Sequence, residues 1–508
     1  MNIEGKIKSL DELVQIVAEL KRKGKKTVLS HGIFDLIHPG IIRHLESAKE
    51  QGDILVVTVI KNKDVRRGPS RPIFEEKLRV RNVAVLGYVD YTCLVDDTIP
   101  FECLKIIKPD IFAKGEAYEN RDPEISQVLE YGEEAIRVAD CKIHFTNGIT
   151  VNSTHIINQF LDVYPEETQK YLKEFSKKYD VLQIVKQLKD LKDLKVLVIG
   201  DGIIDEYHYC DSMGKSGKDH LVVNKYLYDE AFAGGSFAIA NHISGLCREV
   251  QLVSLIGRND SKVDFILNHL KLNIKPKLFY REDAPTIVKR RFVNQYLNQK
   301  VFEICYMNND KISKKCEGQI SNYLASQIPG YDLVLVADFG HGLITEGIVS
   351  LIEDKAKILA VNTQTNSANA GFNMVTKYRN IRFACLDEQE VRLASQDRYG
   401  SINDIMAKIT RQINAEYLIV TRGNHGSLGF NPENGFVQTP AFATKVVDRI
   451  GAGDAFFAFT APSFARGMPL DLVSFIGNVV GAIAVQIVCN RESVEPEKLF
   501  EFIDALLK

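Results

Sequence analysis

Short apolar runs alternate with longer amphipathic segments along most of the chain. Residues 27–34 (TVLSHGIF), 54–60 (ILVVTVI) and 110–115 (DIFAKG) are short and apolar, which predicts buried strands in the first third. The segments between them carry apolar residues at helical spacing. Alternation of strands and helices in this way predicts α/β domains built on parallel sheets.

A change in the charge pattern divides the chain. Residues 161–194 are strongly charged and have helical spacing, which predicts a helical linker. This linker either packs on a domain or at a dimer contact, or is a solvated connector. Short apolar runs return at residue 195, and the last part of the chain is helical and apolar. The sequence therefore predicts one domain over 1–160 and a second over 195–508.

Composition narrows the class of protein. A chain of 508 residues is too long for one ordinary domain. The formal net charge of -2, without a long block of one sign, argues against a protein that binds nucleic acid or a membrane surface. Nine scattered cysteines without a C-x-x-C pair are typical of reduced thiols in the cytoplasm. No stretch of about 18 uninterrupted apolar residues occurs, so no membrane span is predicted.

The most informative segment for chemistry lies near the end of the chain. Gly451, Ala452 and Gly453 stand between a strand-like run and a helix, with Asp454 in the first helical turn. Small residues let the backbone approach a phosphate, and a helix N-terminus supplies free N–H groups and a positive dipole. A carboxylate beside such an anion site is suited to deprotonate a hydroxyl that attacks a γ-phosphoryl group.

Residues 448–454 (DRIGAGD) resemble the Asp-Thr-x-Gly-Ala-Gly-Asp signature of the ribokinase-like (pfkB) sugar kinases, and residues 231–247 and 420–430 resemble two further motifs of that family. The resemblance covers residues 195–508 and implies an α/β domain with a small β lid. It implies that Asp454 is the catalytic base and that the Gly-Ala-Gly turn forms the anion hole. It also implies that Thr421, Gly423 and Gly426 lie near ATP.

Two departures from this family concern the metal and the signature. The threonine of the signature is Arg449 here. The family's Asn-x-x-Glu, which helps to place Mg²⁺, is aligned with Cys385 and Glu388, so that the glutamate is kept and the asparagine is lost. The resemblance implies Mg²⁺ bound with ATP or another nucleoside triphosphate, and Glu388 is the predicted metal ligand. This ion is usually coordinated by hard oxygen ligands of the protein, by phosphates and by water.

Predicted sugar contacts come from three kinds of position. Asp205 and Asp338 follow apolar strands, and α/β sheets bind ligands beyond the carboxyl ends of their strands. Lys289 and Arg291 lie in a basic strand-like run, which is either a phosphate-binding strand or a solvated one. The glycine motif of the kinase family adds Gly234, Gly235 and Asn241.

The first domain opens with "SHGIFDLIHPGIIRHLESAK", residues 30–49, which reads as a strand, a phosphate-binding loop and a helix. Gly32 and Gly40 allow close approach of the backbone, His38 can donate to phosphates, and Lys114 and Arg79 are suited to bind them. Residues 25–160 resemble the cytidylyltransferase-like nucleotidyltransferases, which implies a Rossmann-like domain. That resemblance assigns nucleotide contacts to Phe34, Asp35, Ser153 and Thr154, and catalytic roles to His38 and Lys114.

Ile41 is the main departure in this domain. The nucleotidyltransferase family has His-x-Gly-His where this chain has His38-Pro39-Gly40-Ile41. Loss of one donor of this kind costs about 3–4 kcal/mol of transition-state stabilisation. His44, three residues on, is either a substitute donor or a structural histidine. Two interpretations of the first domain therefore follow: it is a working transferase, or it is a weakened, inactive or regulatory domain.

The two domains together resemble the bifunctional ADP-heptose synthases, in which the kinase domain usually comes first rather than second. The resemblance implies ATP-dependent phosphorylation of a heptose 7-phosphate-like sugar at C1, followed by nucleotidyl transfer to the sugar 1-phosphate. The alternatives are a monofunctional kinase with a weak or regulatory N-terminal domain, and a regulatory or scaffolding protein, against which the intact Gly451–Asp454 motif argues. Partners are ATP and a sugar phosphate, with residues 221–235 as a candidate lid strand for a homodimer.

Overall fold

The computed structural model describes residues 3–65, 68, 71–96, 101–115, 141–146, 163–367 and 369–507. By packing they divide into two compact units, Met1–Val185 with Phe500–Lys508, and Lys186–Leu499. Part of the charged segment predicted as a linker thus belongs to the first unit, because Leu172 and Phe175 are buried there. The domain boundaries at 160 and 194 stay a prediction.

The first unit is built on a five-stranded parallel sheet with the order β3-β2-β1-β4-β5. Its central strands are buried along most of their length, as the continuous apolar runs predict. The strands are β1 (Thr27–Gly32), β2 (Ile54–Ile60), β3 (Tyr91–Val95), β4 (Ile111–Gly115) and β5 (Lys142–Thr146). The helices of this part of the chain are α1 (Leu10–Arg22), α2 (Pro39–Glu50), α3 (Glu76–Val85), α4 (Phe101–Ile107), α5 (Glu166–Lys178) and α6 (Val181–Lys189).

The second unit contains a nine-stranded sheet with the order β10-β9-β6-β13-β14-β15-β16-β17-β18, antiparallel only at the β17 and β18 edge. Its strands are β6 (Lys195–Gly200), β9 (Glu249–Asn259), β10 (Ile274–Pro285), β13 (Leu333–Asp338), β14 (Leu359–Thr363), β15 (Phe383–Asp387), β16 (Tyr417–Thr421), β17 (Ser427–Asn431) and β18 (Gly435–Thr439). A separate four-stranded sheet, called the lid here, has the order β12-β11-β7-β8. It consists of β7 (Gly202–Lys215), β8 (Val222–Gly235), β11 (Ile287–Asn294) and β12 (Gln299–Tyr306).

Helices flank the large sheet. They are α7 (Ser236–Ser244), α8 (Val263–His269), α9 (Lys314–Gln327), α10 (Glu346–Lys355), α11 (Glu388–Ser395), α12 (Ile402–Gln412), α13 (Ala452–Ala465) and α14 (Leu470–Ala484). In the last helix, α15 (Pro496–Leu507), the residues from Phe500 onward belong to the first unit. Ten successive residues of α13 are buried, from Ala455 to Phe464, because the helix is apolar on every side. This burial fixes the N-terminus of α13, where the predicted phosphate site lies. In the part of the chain that the structure describes, every helix is too short or too polar to cross a membrane.

The last residues of the chain pack within the first unit. Phe502 is 1% exposed, and a Cβ atom added at Gly68 would meet its ring at 2.1 Å. Removal of a fully buried phenylalanine ring leaves a cavity. We therefore expect Phe502→Ala to lower the free energy of unfolding of the first unit by about 3–5 kcal/mol, measured by urea denaturation. Phe372→Ala is the control, because that ring is 89% exposed. Equal midpoints for the two variants would contradict the packing described here.

Candidate active sites

The predicted phosphate turn of the second unit opens helix α13. Gly451 is the residue before the helix and has φ 85°, in the left-handed region that favours glycine. A Cβ atom there would also lie 2.2 Å from Asn490 Oδ1. Ala452 N donates to Arg449 O at 3.4 Å, whereas Gly453 N and Asp454 N have no backbone acceptor within the described residues and are available to an anion.

Asp454 stands in the first turn of α13 and is electrostatically linked to two other predicted site residues. Burial and, after it, the Asp205 carboxylate raise the pKa of Asp454 to about 7, and Lys289 opposes the shift. The structure therefore brings together the predicted base, a predicted sugar contact and a predicted phosphate contact. A carboxyl group with a pKa near 7 can act as a general base at neutral pH.

Asp205 lies on lid strand β7 and is held by its neighbours. Arg291 Nη1 donates to Asp205 Oδ1 at 2.5 Å, and Arg291 Nε lies 2.7 Å from Glu303 Oε2. A Cβ atom at Gly234 would meet Asp205 Oδ2 at 2.0 Å, so only glycine fits beneath this carboxylate. Gly235 directly precedes α7. Both glycines of the predicted motif thus border the site.

The three basic residues of β11 differ in what they contact. Arg290 is paired with Glu206 at 2.7 Å, and the charge of Arg291 is balanced by two carboxylates. Lys289 is 9% exposed and has no ion pair within the described part of the chain. Its positive charge acts to lower the pKa of Asp454. Burial lowers the pKa of His341, and the charge of Lys289 adds to that shift. Lys289 is therefore the cation of this strand that is available to a substrate anion.

Asn490 was not predicted and lies at the centre of the site. Its amide is the group that excludes a side chain at Gly451, and its Nδ2 atom lies 3.5 Å from the position of a Cβ atom at Gly234. It thus stands between the phosphate turn and the glycine under Asp205. No sequence signal marks Asn490, because it is a single amide in the loop after α14.

Two predicted sugar contacts are hydrogen-bonded to protein groups. Asp338 is 1% exposed and accepts from Tyr378 Oη at 2.8 Å, with Lys377 Nζ beside it. Asn241 bridges α7 to the end of α8, donating to His269 O at 2.8 Å and accepting from Lys271 N at 3.1 Å. Both residues support the scaffold in this structure, and their contact with a sugar stays a prediction.

The predicted nucleotide loop follows β16. Thr421 ends that strand, and Gly423 and Gly426 flank a single 3₁₀ turn with φ values of 57° and 76°. A Cβ atom at Gly426 would lie 2.0 Å from Thr439 O, so the loop packs tightly against the end of β18. These three residues form one compact loop, as the predicted motif requires.

The predicted metal ligand, Glu388, is paired with two arginines, and its role stays a prediction. Glu388 is neutralised by Arg422 and Arg392, each at 2.8 Å. By contrast, Glu390 is buried, its pKa is raised to about 8 by burial and by Asp387, and its charge reaches Asp454. Asp387 caps α11 and exchanges hydrogen bonds with Glu390 in a capping box. Among these three carboxylates, Glu390 is the one with an electrostatic link to Asp454, and its two oxygen atoms accept from Thr365 N and Asp387 N.

In the first unit, Asp35 and Arg79 shape the loop after β1 rather than offering free groups. Asp35 accepts from Ile73 N at 2.8 Å and from Phe74 N at 2.9 Å. Arg79 is 0% exposed, and its guanidinium donates to three backbone carbonyls and to Asn62 Oδ1. The Arg79 guanidinium is thus enclosed by protein acceptors in this structure, and its role as a phosphate ligand stays a prediction.

His38 caps helix α2 and keeps one ring nitrogen for a ligand. Its Nδ1 atom accepts from Gly40 N at 3.2 Å, which places the proton of the neutral ring on Nε2. Burial lowers the pKa of His38, which favours this neutral form. Strands β1 and β4 are parallel neighbours, with Ser30 opposite Ala113, so Gly32 and Lys114 lie at the same edge of the sheet.

The geometry around Ile41 decides between the two roles considered for His44. Ile41 is partly buried and packs on the cluster that contains Phe34 and Leu45. His44 Nε2 lies 2.8 Å from Ser30 Oγ, and Nδ1 lies 2.6 Å from Thr146 Oγ1. Burial lowers the pKa of His44 to about 4, with His144 adding to the shift. His44 is therefore structural and does not replace the missing histidine.

Phe34 also belongs to this loop, with φ 51° and its ring 3.2 Å from the position of a Cβ atom at Gly32. The predicted contacts Ser153 and Thr154 lie outside the described residues. The first unit thus places His38, Gly40 and Lys114 near the carboxyl ends of its strands, and His38 keeps its Nε2 atom for a ligand.

A lid over a nine-stranded α/β sheet, with a carboxyl group at a glycine-led helix N-terminus, defines a ribokinase-like kinase domain. The family model described as pfkB family carbohydrate kinase matches residues 193–495, and the chain belongs to this family. A second model, described as cytidylyltransferase-like, matches residues 29–201. These matches confirm the predicted fold class and the predicted pairing of the two kinds of domain.

Relatives named as bifunctional proteins are similar over parts of the chain. The bifunctional protein HldE of Trichlorobacter lovleyi is 33% identical over 295 residues, 57% of this chain and 59% of its own length. The bifunctional protein HldE of Geobacter metallireducens is 35% identical over 167 residues, 32% of this chain and 33% of its own length. The alignments thus span less than two thirds of these relatives. Phosphofructokinase-2 from Escherichia coli, solved with potassium, has the same fold over 62% of this chain and 100% of its own, at a TM-score of 0.51 and 13% identity.

Proposed function

We propose that the chain is a bifunctional sugar-activating enzyme. Its second unit transfers the γ-phosphoryl group of ATP to C1 of a heptose 7-phosphate-like sugar. Its first unit then joins a nucleotidyl group to the sugar 1-phosphate and releases pyrophosphate. The observation that carries the proposal is the juxtaposition of Asp454, Asp205 and Lys289 at the Gly451–Gly453 turn.

The kinase step follows from this arrangement. Asp205 accepts a hydrogen bond from a sugar hydroxyl and orients the sugar. Asp454 takes the proton of the C1 hydroxyl as its oxygen attacks the γ-phosphorus atom, and the N–H groups at the start of α13 stabilise the charge that develops on the γ-phosphoryl oxygens. Lys289 binds an anionic oxygen of the sugar phosphate or of the transferred group. Positioning of the reactants and stabilisation of the developing charge supply most of the rate enhancement in such a transfer.

Mg²⁺ fits this site as a companion of the nucleotide. Among the described residues, no group of three His, Cys, Asp or Glu side chains is placed to hold a metal ion. Glu390 supplies hard oxygen atoms within electrostatic reach of Asp454, and Mg²⁺ commonly keeps phosphate and water ligands beside one or two carboxylates. When bound, the ion neutralises charge on the phosphates. The raised pKa of Glu390 near 8 supports a cation in this region, since a cation would restore its ionised form.

The nucleotidyl transfer in the first unit rests on fewer groups. His38 Nε2 and Lys114 are suited to donate to the triphosphate, and the Gly32 and Gly40 positions let the backbone approach it. Ile41 favours a second candidate function, in which this unit binds a nucleotide without turnover and the chain is a monofunctional kinase. In both candidate functions, the second unit is a kinase.

We also propose a homodimer and a cytoplasmic location. The outer face of the lid carries Phe302, Ile304 and Tyr306 on edge strand β12, each more than 40% exposed. An exposed apolar edge of this kind is suited to pack against the same edge of a second copy of the chain. Light scattering should give twice the mass of the chain, and a monomer would contradict the dimer. All nine cysteines are free, which supports a reducing compartment.

Asp454 also predicts the pH dependence of the kinase. A general base must be ionised, and the pKa of Asp454 is about 7. We therefore expect kcat/KM for ADP formation to fall about tenfold for each pH unit below 7 and to level off above it. A profile that is flat between pH 5.5 and 8 would contradict the assignment of Asp454 as the base.

The function is tested by separate detection of ADP and of pyrophosphate. The purified chain is given ATP and a panel of sugar 7-phosphates, and then a sugar 1-phosphate with ATP, CTP or GTP. The bifunctional enzyme forms ADP in the first assay and pyrophosphate in the second. ADP without pyrophosphate would establish the monofunctional alternative.

A further inference from the structure

A buried carboxylate joins the lid to the phosphate turn. Asp448 lies two residues before Ile450 and is 6% exposed. Its two oxygen atoms accept four hydrogen bonds, two from the lid and two from backbone N–H groups. The donors are Lys300 Nζ at 2.6 Å, Tyr207 Oη at 2.7 Å, Ile450 N at 3.1 Å and Cys489 N at 3.1 Å.

The two side-chain donors come from strands that also form the sugar side of the site. Tyr207 lies on β7, two residues after Asp205, and Lys300 lies on the edge strand β12. Strand β11, between β7 and β12 in the lid, carries Lys289 and Arg291. The strands that carry the sugar-side residues thus also present Lys300 and Tyr207 to Asp448.

The two backbone donors belong to the catalytic side. Ile450 N–H is fixed by Asp448 immediately before Gly451, the residue whose left-handed conformation opens α13. Cys489 N–H, fixed by the other oxygen, precedes Asn490, whose amide contacts Gly451. Asp448 therefore orients both segments that shape the phosphate turn.

We propose that Lys300 and Tyr207 are positioning residues that couple the seating of the lid to the geometry of the anion-binding turn through Asp448. The proposal rests on the kinase function proposed above. A buried carboxylate without its cation is costly, because desolvation is no longer compensated. Although burial raises the pKa of Asp448, the hydrogen bonds from Lys300 and Tyr207 hold it below its ordinary value. Loss of Lys300 thus weakens the ionised form that holds Ile450 N–H.

The test compares Lys300→Met with Lys225→Met, an exposed lysine of lid strand β8. We expect kcat for ADP formation to fall 10- to 100-fold in Lys300→Met, while KM for ATP changes less than twofold. Lys300→Arg keeps the charge and should recover at least a third of the wild-type kcat, and Tyr207→Phe should lower kcat about tenfold. A kcat for Lys300→Met equal to that of Lys225→Met would overturn the proposal, as would a loss that Lys300→Arg does not recover.

Hydrogen–deuterium exchange separates this coupling from the proposed substrate. In Lys300→Met, exchange should rise both in 299–306 and in 447–454, whether or not the sugar has been identified. A rise confined to 299–306 would overturn the coupling. No ADP formation by the wild-type chain, with coupled exchange intact, would refute the proposed kinase function and leave the coupling standing.

Discussion

Asp454→Asn lowers the rate of ADP formation from ATP and a sugar phosphate by roughly 10³-fold, the usual contribution of a positioned general base. The amide keeps the size of the side chain but cannot accept the proton of the attacking hydroxyl. The binding contacts at the Gly451 turn and at the loop around Thr421 are unchanged, so KM for ATP is expected to stay within about threefold. Steady-state kinetics with coupled detection of ADP measure both constants.

Two controls accompany this variant. Asp471→Asn changes an acidic residue in the first turn of α14 and should keep full activity. Asp454 has a pKa of about 7 in the folded chain, above the value of about 3.9 for an unfolded carboxyl. The folded state therefore binds the proton more tightly, and the ionised Asp454 carboxylate destabilises the fold as pH rises through this window. Asp454→Asn should then melt at a higher temperature than the wild type at pH 8, with the difference vanishing toward pH 4.

In the kinetic assay, an unchanged rate of ADP formation by Asp454→Asn would contradict the assignment of Asp454 as the base.

Ile41→His raises the rate of pyrophosphate release by at least about tenfold, since one donor in a comparable site contributes 10²–10³ in kcat. Neither ring nitrogen of His44 is available for this role, because Ser30 and Thr146 occupy both. The imidazole at position 41 gives up part of the packing on Phe34, so a modest loss of stability is expected as well. Pyrophosphate release with a sugar 1-phosphate and each nucleoside triphosphate measures the effect.

Ile42→His is the matched control for this substitution. Ile42 is the next residue of α2 and is 37% exposed, so the same imidazole is added one position away from the loop. Pyrophosphate release should stay at the wild-type rate in this variant. An equal rate for Ile41→His and the wild type would mean that the missing histidine does not limit the first unit.

Local motifs in the sequence located the second site well. The Gly451–Asp454 turn is contiguous, so its helix N-terminus and its base follow from neighbouring residues. The basic run at 289–291 was recognised, but the sequence alone does not show that Arg290 and Arg291 are paired while Lys289 is not. That distinction depends on Glu206, Asp205 and Glu303, which reach these residues only through the pairing of lid strands.

Other features of the sites also depend on contacts between distant segments. Arg79 has the chemistry of a phosphate ligand, yet it is enclosed by carbonyls from three separate segments. Asn490 and Lys300 reach the phosphate turn over long distances along the chain, so no local pattern marks them. The Asp387-x-x-Glu390 spacing is visible in the sequence, and it predicts the capping box at the start of α11.

The central claim is that Asp454 drives phosphorylation of a sugar phosphate at C1, and the most direct measurement is product analysis by ³¹P NMR. The purified chain is incubated with ATP, Mg²⁺ and heptose 7-phosphate, and the same reaction is run with Asp454→Asn. The account predicts a sugar 1,7-bisphosphate and one equivalent of ADP from the wild-type chain, with neither formed at a comparable rate by Asp454→Asn. No phosphorylated product with any sugar phosphate of the panel, or the same product from both proteins, would contradict it.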